Sequence, residues 1–502
     1  MNYDRRMRLF FPIPDEVAKA TKRLTDAGFE AYLVGGCVRD LFLGRKPVDW
    51  DITTNATPEE IMSSFENTFY TNDFGTVGVV SDTEDESLKV IQITPYRTES
   101  GYSDNRRPDS VKWSKKLDDD LSRRDFTVNA LALSLAEKKG NEWATEIVDN
   151  FGGLKDLKEG IIKAVGNPDE RFSEDALRIL RAVRLSAELE FSIENETFSA
   201  LEKHRVLLKK VSAERIRDEF VRIIMSPHPL PAFETLKVSG ILEIILPELL
   251  EGAGMEQNAA HSFDVFEHIM RTLEHAAKKN FSLEIRLAAL FHDIGKPRTR
   301  RWGEKTKQWT FYGHDVVGAR MTKEIMERMK FPTKTIDVVT KLVRWHMFFS
   351  DTEAITLSAV RRMVANVGKE HIWELMDVRI ADRIGTGRPK ESPYRLRKYR
   401  SMVEEAMRDP ISVSMLKIDG EKIMIVGKIA AGPAIGLTLH ALLEEVLEDP
   451  KKNTEEYLEK RALELIKLPE SDLRKLGTIA KEKKENIEET EIAKIRGKHG
   501  VK

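Results

Sequence analysis

One cysteine, Cys37, occurs in the 502 residues. No disulfide can form within the chain, which suits a reducing compartment. Long apolar runs are also missing: none approaches the ~20 residues needed to span a bilayer. The N-terminal stretch Leu9–Phe11 meets Pro12 at once, so it is far shorter than the core of a signal peptide. The expectation is a cytoplasmic protein with no membrane partner. An excess of either charge is lacking too. The formal net charge is −2 with 33% charged residues, which excludes a uniformly basic surface but leaves room for a local basic groove that binds RNA. No internal repeat is visible. Strand signals nearly vanish beyond Ser173, where helical periodicity takes over with breaks at Pro227-His-Pro229, Gly252 to Gly254, Gly385-Thr-Gly387 and Pro389.

The part before that point mixes both kinds of element. Val77 to Val80 and the alternating run Leu88 to Thr94 read as strands, and Pro58 to Phe65 reads as a helix opened by Thr57. The fold class is therefore α+β: an α/β head followed by a predominantly α-helical remainder. The length suggests three or four units rather than one core. After Pro469 the chain becomes a charge-rich tail with few apolar anchors, read as a frayed helix or disorder.

Asp49 and Asp51, separated by one residue, carry the sharpest chemical signal. At i and i+2 of a strand, both carboxylates project from one face and suit a pair of divalent cations about 3.5–4 Å apart. Such hard oxygen ligands favour Mg2+. Upstream, Gly35-Gly36 joins the apolar run Ala31 to Val34 to a helix-like run containing Arg39. A lone Gly-Gly is an ordinary turn; beside Arg39 and the aspartates it would let backbone N–H groups approach a triphosphate, with Arg39 adding charge. Cys37, next to the turn, reads as a small packed residue.

Two further stretches fit a nucleotide. In Arg123-Arg-Asp-Phe-Thr-Val-Asn-Ala130, Arg124 suits phosphate and Asp125 can accept from ribose hydroxyls, although a capped helix start with ion pairs has the same spacing. Glu174-Asp-Ala-Leu-Arg178-Ile-Leu-Arg181-Ala-Val-Arg184 reads as a helix with Asp175 and Arg178 on one face. A carboxylate only accepts and a guanidinium only donates, so together they match the amino group and ring nitrogen of cytosine or adenine, and mismatch guanine and uracil. A surface ion pair is the other reading of that spacing.

The order Gly-Gly-x-x-Arg-Asp, x-Leu-Gly, Asp-x-Asp, Arg-Arg-Asp-Phe-Thr and Glu-Asp-x-x-Arg resembles the class II tRNA nucleotidyltransferase and bacterial poly(A) polymerase family, over about Ala31 to Ala462. The resemblance implies a polymerase-β-like nucleotidyltransferase head. Asp49 and Asp51 would be catalytic and hold Mg2+; Gly36, Arg39, Arg124 and Asp125 would bind triphosphate and ribose, and Asp175 with Arg178 the base edge. Arg181 and Arg184 carry over as nucleotide-binding or supporting positions, with Glu214 and Arg215 as bracing groups and Gly166 to Phe172 as a reorienting segment. Pro95 to Pro108 resembles the family's flexible loop, which favours an enzyme able to add A; Tyr96 replaces a more usual phenylalanine.

His268, His292-Asp293 and Asp382, in that order, resemble the HD phosphohydrolase superfamily. Adjacent His-Asp on a helix reaches one metal only at the helix end or through a particular packing. The set implies an unidentified divalent metal, with His314 and His346 furnishing a second, and a secondary metal-dependent phosphatase or cyclic phosphodiesterase activity.

The resemblance thus implies addition of C, C and A to the 3′ end of tRNA from CTP and ATP, without a nucleic-acid template. The protein would act as a monomer or homodimer. The expected layout is a head over 1–150, a helical neck over 151–225, an HD-type domain over 226–395, a tRNA-binding body over 396–468 and a tail over 469–502. Rival readings are an A-adding enzyme, a poly(A) polymerase, and an HD phosphohydrolase with a nucleotide-binding module.

Overall fold

The computed structural model describes residues 9–71, 75–101, 110–257, 262–304, 307–348, 355–474 and 476. The chain divides into two compact units, Met1–Ile245 and Leu246–Lys502.

Ten of the twelve strands among the described residues of the first unit build its head: β1 (Leu9–Phe11), β2 (Ala31–Val34), β3 (Asp51–Thr54), β4 (Thr68–Tyr70), β5 (Val77–Val80), β6 (Val90–Pro95), β7 (Arg97–Ser100), β8 (Ser110–Trp113), β9 (Ala132–Lys139) and β10 (Glu142–Val148). Eight form one sheet in the order β1-β10-β9-β2-β3-β6-β5-β4, and β7 pairs with β8 separately. β3 and β6 run parallel and the other pairs antiparallel. The central strands alternate apolar and β-branched residues, as strands buried in a sheet require. Leu33, Ile52, Val77 and Ile93 are fully buried; each contributes about 1.5–3 kcal/mol of apolar transfer.

The helix Pro58–Ser64 starts where the sequence indicates. Thr57 Oγ1 accepts the Glu60 N–H at 3.3 Å while Glu60 Oε2 accepts the Thr57 N–H at 2.7 Å, a reciprocal cap. Beyond the sheet, the helices Pro168–Glu174, Leu177–Leu189 and Ala213–Met225 follow. The helix expected to run unbroken from Glu174 is interrupted at Asp175 and Ala176: Asp175 leaves helical geometry at φ −132° and ψ 105°. Its short side chain accepts the Leu177 N–H at 3.1 Å, the local bond with which aspartate competes against a continuing helix.

The second unit is helical apart from one short hairpin, Arg301–Gly303 with Gln308–Thr310, among its described residues. Of the segment Pro95 to Pro108, residues up to Gly101 are described: Pro95 ends β6 and Arg97–Ser100 form β7; the rest lies outside the described residues. The charged tail beyond 476 lies outside them as well.

Candidate functional site

In the first unit the site grows from one turn. β2 ends at Val34, which pairs with Asp51 at the start of β3. The chain then turns through Gly35 into the helix Gly36–Phe42. Gly35 has φ 79° and ψ −139°, a conformation that residues with a Cβ seldom adopt. A Cβ there would lie 3.1 Å from Arg124 Nη1 and 3.6 Å from Asp51 Oδ2. The turn is thus the point where a guanidinium and a carboxylate meet.

β3 begins at Asp51, and Asp49 is exposed in the bend before it. Ladder pairing starts only at the Trp50 carbonyl, which accepts from the Gln92 N–H at 3.1 Å; Pro47 has no N–H to extend it. The two carboxylates still sense each other. Burial, and then the Asp49 charge, pushes the Asp51 carboxyl up to about 6, with Arg124 opposing. Two acidic groups crowded against one buried edge suit divalent cations, which relieve their repulsion.

Arg124 Nη2 donates to Asp120 Oδ2 at 3.1 Å, and Arg123 Nε donates to Asp120 Oδ1 at 3.0 Å. Asp120 is fully buried and anchors both arginines. Arg39 donates through Nε to Asp40 Oδ1 at 2.9 Å and through Nη1 to Asn129 Oδ1 at 2.8 Å. Asn129 Nδ2 in turn donates to Asp125 Oδ1 at 3.3 Å. The other oxygen, Asp125 Oδ2, lies 2.7 Å from Arg181 Nη2. Burial disfavours the Asp125 charge, but Arg181 and then Arg178 hold its carboxyl below the usual carboxylate range.

Asp175 and Arg178 flank the same helix break but hold different partners. Arg215 Nη2 donates to both oxygens of Asp175, at 3.3 and 3.0 Å. Arg178 Nη1 donates to Glu174 Oε2 at 2.7 Å, and Nη2 to the Arg123 carbonyl at 2.9 Å. Arg184 stands apart: it is 4% exposed, with Nε 2.7 Å from Glu219 Oε2 and Nη1 donating to Glu188 Oε2 at 3.4 Å. Its contacts are those of a buried ion pair. Gly36 lies under the Arg39 guanidinium, with an added Cβ 3.5 Å from Nη2.

The second unit carries a separate cluster. His268 lies on the helix Val265–Lys278, His292 caps Leu283–Phe291 and precedes Asp293, and His314 opens His314–Arg328. His346 caps Thr333–Trp345 and Asp382 lies on Ile372–Gly385. The His-Asp pair thus occupies a helix end, one of the two arrangements its adjacency allows. Gly385 permits the close approach of its helix to that of His268; a Cβ would run into Thr272 Oγ1 and lie 3.0 Å from the His268 carbonyl.

His268, His292 and Asp382 form one set of converging ligand atoms, and Asp293, His314 and His346 another, each within 4.8 Å. Asp293 faces both: Oδ2 is 3.0 Å from His268 Nε2 and 3.2 Å from His292 Nε2, and Oδ1 is 3.3 Å from His314 Nε2 and 3.7 Å from His346 Nε2. The Nδ1 atoms of His292, His314 and His346 lie 2.8, 2.7 and 2.7 Å from the carbonyls of Ala289, Phe311 and Val343. That outer contact leaves each Nε2 lone pair for a metal. Burial would lower the His292 pKa, but Asp293 and Asp382 raise it to about 10. The two sets would hold two divalent cations, with Asp293 facing both.

A family model described as the Poly A polymerase head domain matches residues 31–163. That stretch of the chain is similar to a poly A polymerase head. Further models match at 190–252, described as the probable RNA and SrmB-binding site of polymerase A, and at 261–387, the HD domain. Over 226 residues the chain is 49% identical to a CCA-adding enzyme of Lactobacillus helveticus, covering 44% of this chain and 53% of the relative. A CCA-adding enzyme of Ligilactobacillus salivarius is 48% identical over 221 residues, 43% and 52% of the two chains. The match therefore spans about half the length of these curated relatives.

Among solved structures, the CCA-adding enzyme of Bacillus stearothermophilus in complex with CTP superposes with a TM-score of 0.65 at 26% identity, over 90% of this chain and 98% of that one. The Thermotoga maritima CCA-adding enzyme complexed with tRNA shares the fold, with a TM-score of 0.53 at 20% identity over 91% and 100% of the chains. No helix among the described residues is long and apolar enough to cross a membrane.

Within the first unit, sequence reasoning passed over Asp120 and Asn129. Asp120 closes the acidic run Asp118 to Asp120, which looks like a solvated face, and Asn129 sits in the quoted arginine motif without a charge to mark it. Only the fold puts Asp120 beneath two arginines and Asn129 between Arg39 and Asp125.

Proposed function

We propose that the protein adds C, C and A to the 3′ end of tRNA from CTP and ATP, without a template, in the cytoplasm. The tRNA 3′ oxygen bonds to the nucleotide α-phosphorus as the bond to the β-phosphate oxygen breaks, and pyrophosphate leaves. Asp49 and Asp51 would hold Mg2+, which supplies activation of the hydroxyl and neutralisation of the leaving group. Arg39 and Arg124 orient the triphosphate at the Gly35-Gly36 turn. Asp125, held by Arg181, receives the ribose. Asp175 presents acceptors to the amino group of cytosine or adenine, with Arg178 donating to the ring nitrogen.

One observation carries this reading: Asp51 and Arg124 meet at the Gly35 turn, and a line of contacts from Arg39 through Asn129 and Asp125 reaches Arg181 on the helix that follows Asp175. The likeness to CCA-adding enzymes, one of them solved with CTP, supports it. We assign the body over 396–468 to tRNA contact. The HD cluster carries a second reading, a metal-dependent phosphohydrolase, favoured by the bridging position of Asp293.

The test is incorporation into tRNA lacking one, two or three terminal nucleotides, with each of the four ribonucleoside triphosphates. Stepwise addition of C, C and A is expected. Failure with both CTP and ATP refutes the reading, and extension only of tRNA ending in CC selects an A-adding enzyme.

A further inference from the structure

The hairpin Arg301–Gly303 with Gln308–Thr310 joins the two halves of the HD cluster along the chain. The short helix Lys296–Thr299 leads into it from His292-Asp293, and Phe311 to Gly313 lead out of it to His314. Asp293 Oδ1 and His314 Nε2 lie 3.3 Å apart. Both approaches to the hairpin therefore start beside metal-ligating groups.

Holding a metal does not require the side chains that the hairpin carries. Trp302 and Trp309 are direct cross-strand partners, which sets both indoles on one face. Their ring centroids are 5.2 Å apart at an interplanar angle of 78°. Arg300, two residues before Trp302, lays its guanidinium 3.8 Å from the centroid of the Trp309 ring. Guanidinium, indole and indole thus form a row. Arg300 Nε is buried without a hydrogen-bond partner among the described residues, and Trp302 at the other end of the row is 47% exposed.

Tyr312 supplies a second ring. Gly313 has φ 77°, with nothing within 4 Å of an added Cβ, so the chain turns there in open space and Tyr312 is 69% exposed. Two residues of chain reach at most about 7 Å, which keeps Tyr312 that close to His314. Exposed aromatic rings beside arginines are the parts from which base-stacking surfaces are made: every nucleobase offers a π-face, and cationic side chains complement its phosphates.

We propose that Trp302 and Tyr312 form a base-stacking platform, which makes the HD site take phosphate groups carried by a nucleobase in preference to plain sugar phosphates. The nucleobase belongs to a free nucleotide or to the end of a single-stranded RNA. The inference rests on the phosphohydrolase reading of the cluster. Trp302 and Tyr312 hold the base and take no part in breaking bonds.

The experiment titrates the full-length wild type, Trp302→Ala, Trp302→Phe, Tyr312→Ala and Tyr394→Ala with AMP, ribose 5-phosphate and a short single-stranded oligoadenylate, in Mn2+. Quenching of tryptophan fluorescence reports stacking, and phosphate release reports kcat/KM. Stacking one base on one ring is worth about 5-fold to 150-fold in affinity. AMP and the oligoadenylate should quench the wild type, and ribose 5-phosphate should not. Trp302→Ala should lose most of that quenching, and Tyr312→Ala should shift its midpoint to about 5-fold to 150-fold higher AMP. The AMP-over-ribose 5-phosphate ratio of kcat/KM should fall in both by a similar factor. Trp302→Phe, which keeps a ring, should stay near the wild-type ratio. Tyr394→Ala, at an equally exposed tyrosine of the same unit, should match the wild type. Tighter binding of the oligoadenylate assigns the platform to an RNA end, and equal binding to a free nucleotide.

Equal quenching by AMP in the wild type and Trp302→Ala overturns the proposal. An equal loss of phosphate release from AMP and ribose 5-phosphate overturns it too, because a hairpin that merely holds the metal ligands slows both. If Trp302→Ala does not fold, Tyr312→Ala decides, with an unchanged midpoint and ratio the refuting outcome. A wild type that releases phosphate from none of the three probes overturns the phosphohydrolase reading instead, while the quenching still decides whether the platform exists.

Discussion

Replacing Gly35 by alanine tests the junction at which the head site is assembled. At φ 79° and ψ −139° the backbone occupies a region that costs a residue with a Cβ about 1–3 kcal/mol. The new methyl would also stand 3.1 Å from Arg124 Nη1 and 3.6 Å from Asp51 Oδ2. The guanidinium must give by a few tenths of an ångström, and Asp120 resists, because it holds Nη2 from the far side at 3.1 Å. Since a 1 Å displacement in a reacting site costs about 100-fold, a shift of several tenths predicts a loss on the order of 10-fold in CTP incorporation. Gly44→Ala is the control. Its φ of 66° is also positive, but nothing lies within 4 Å of an added Cβ, so it should cost about 1–2 kcal/mol of stability and leave incorporation intact. Denaturant midpoints and single-turnover incorporation measure the two effects separately. A Gly35→Ala enzyme with the wild-type rate, or an equal rate loss in Gly44→Ala, would refute the reasoning that Arg124 and the turn are in register.

Three further predictions test other parts of the structure. Cys37 is fully buried, and burial followed by the Asp51 charge pushes its thiol up to about 12; a thiol reagent at pH 8 should react only after denaturation, and stoichiometric labelling of the native protein would contradict this. Arg184→Met leaves Glu219 buried without its partner, which should destabilise the first unit by about 3–5 kcal/mol. The Glu219 pKa is already raised by burial, so the folded state holds the extra proton and the deficit should shrink as pH falls through the folded pKa toward the ordinary value of 4.5; a deficit that grows on acidification would be inconsistent. Asp293→Ala removes the carboxylate shared by both HD ligand sets, so divalent metal retained by the second unit should fall sharply while CTP and ATP incorporation stays within about twofold; metal analysis and the tRNA assay check the two halves, and lost incorporation would join sites that the structure places in separate units.

Local chemistry made much of this molecule legible in the sequence. Val77 to Val80 is a strand as read, and Thr57 opens a helix at Pro58 because its oxygen and the Glu60 carboxylate satisfy each other's N–H groups. The His-Asp adjacency, which called for a helix end or a particular packing, sits at a helix end. What escaped depends on contacts distant in sequence. Asp49 lies before its strand because ladder pairing, set by Gln92, begins only at Trp50. The break at Asp175 was hidden because helical periodicity continues on both sides of it. Asn129 joins Arg39 across ninety residues, and Arg215 meets Asp175 across forty. Arg184 carried a binding expectation from its motif, while its contacts are with Glu219 and Glu188.

Arg39, Asn129, Asp125 and Arg181 stand in one unbroken line of polar contacts, from the glycine turn to the helix Leu177–Leu189. Asn129 and Asp125 each face two neighbours and have little slack to relax toward either. The effect of altering one end is then conditional on what stands at the other, so substitutions at Arg39 and Arg181 should be strongly non-additive despite their separation in sequence. For variation within this fold, the turn and the helix form a single heritable part: a new residue at one end is tolerated only in the company of a matching change along the line.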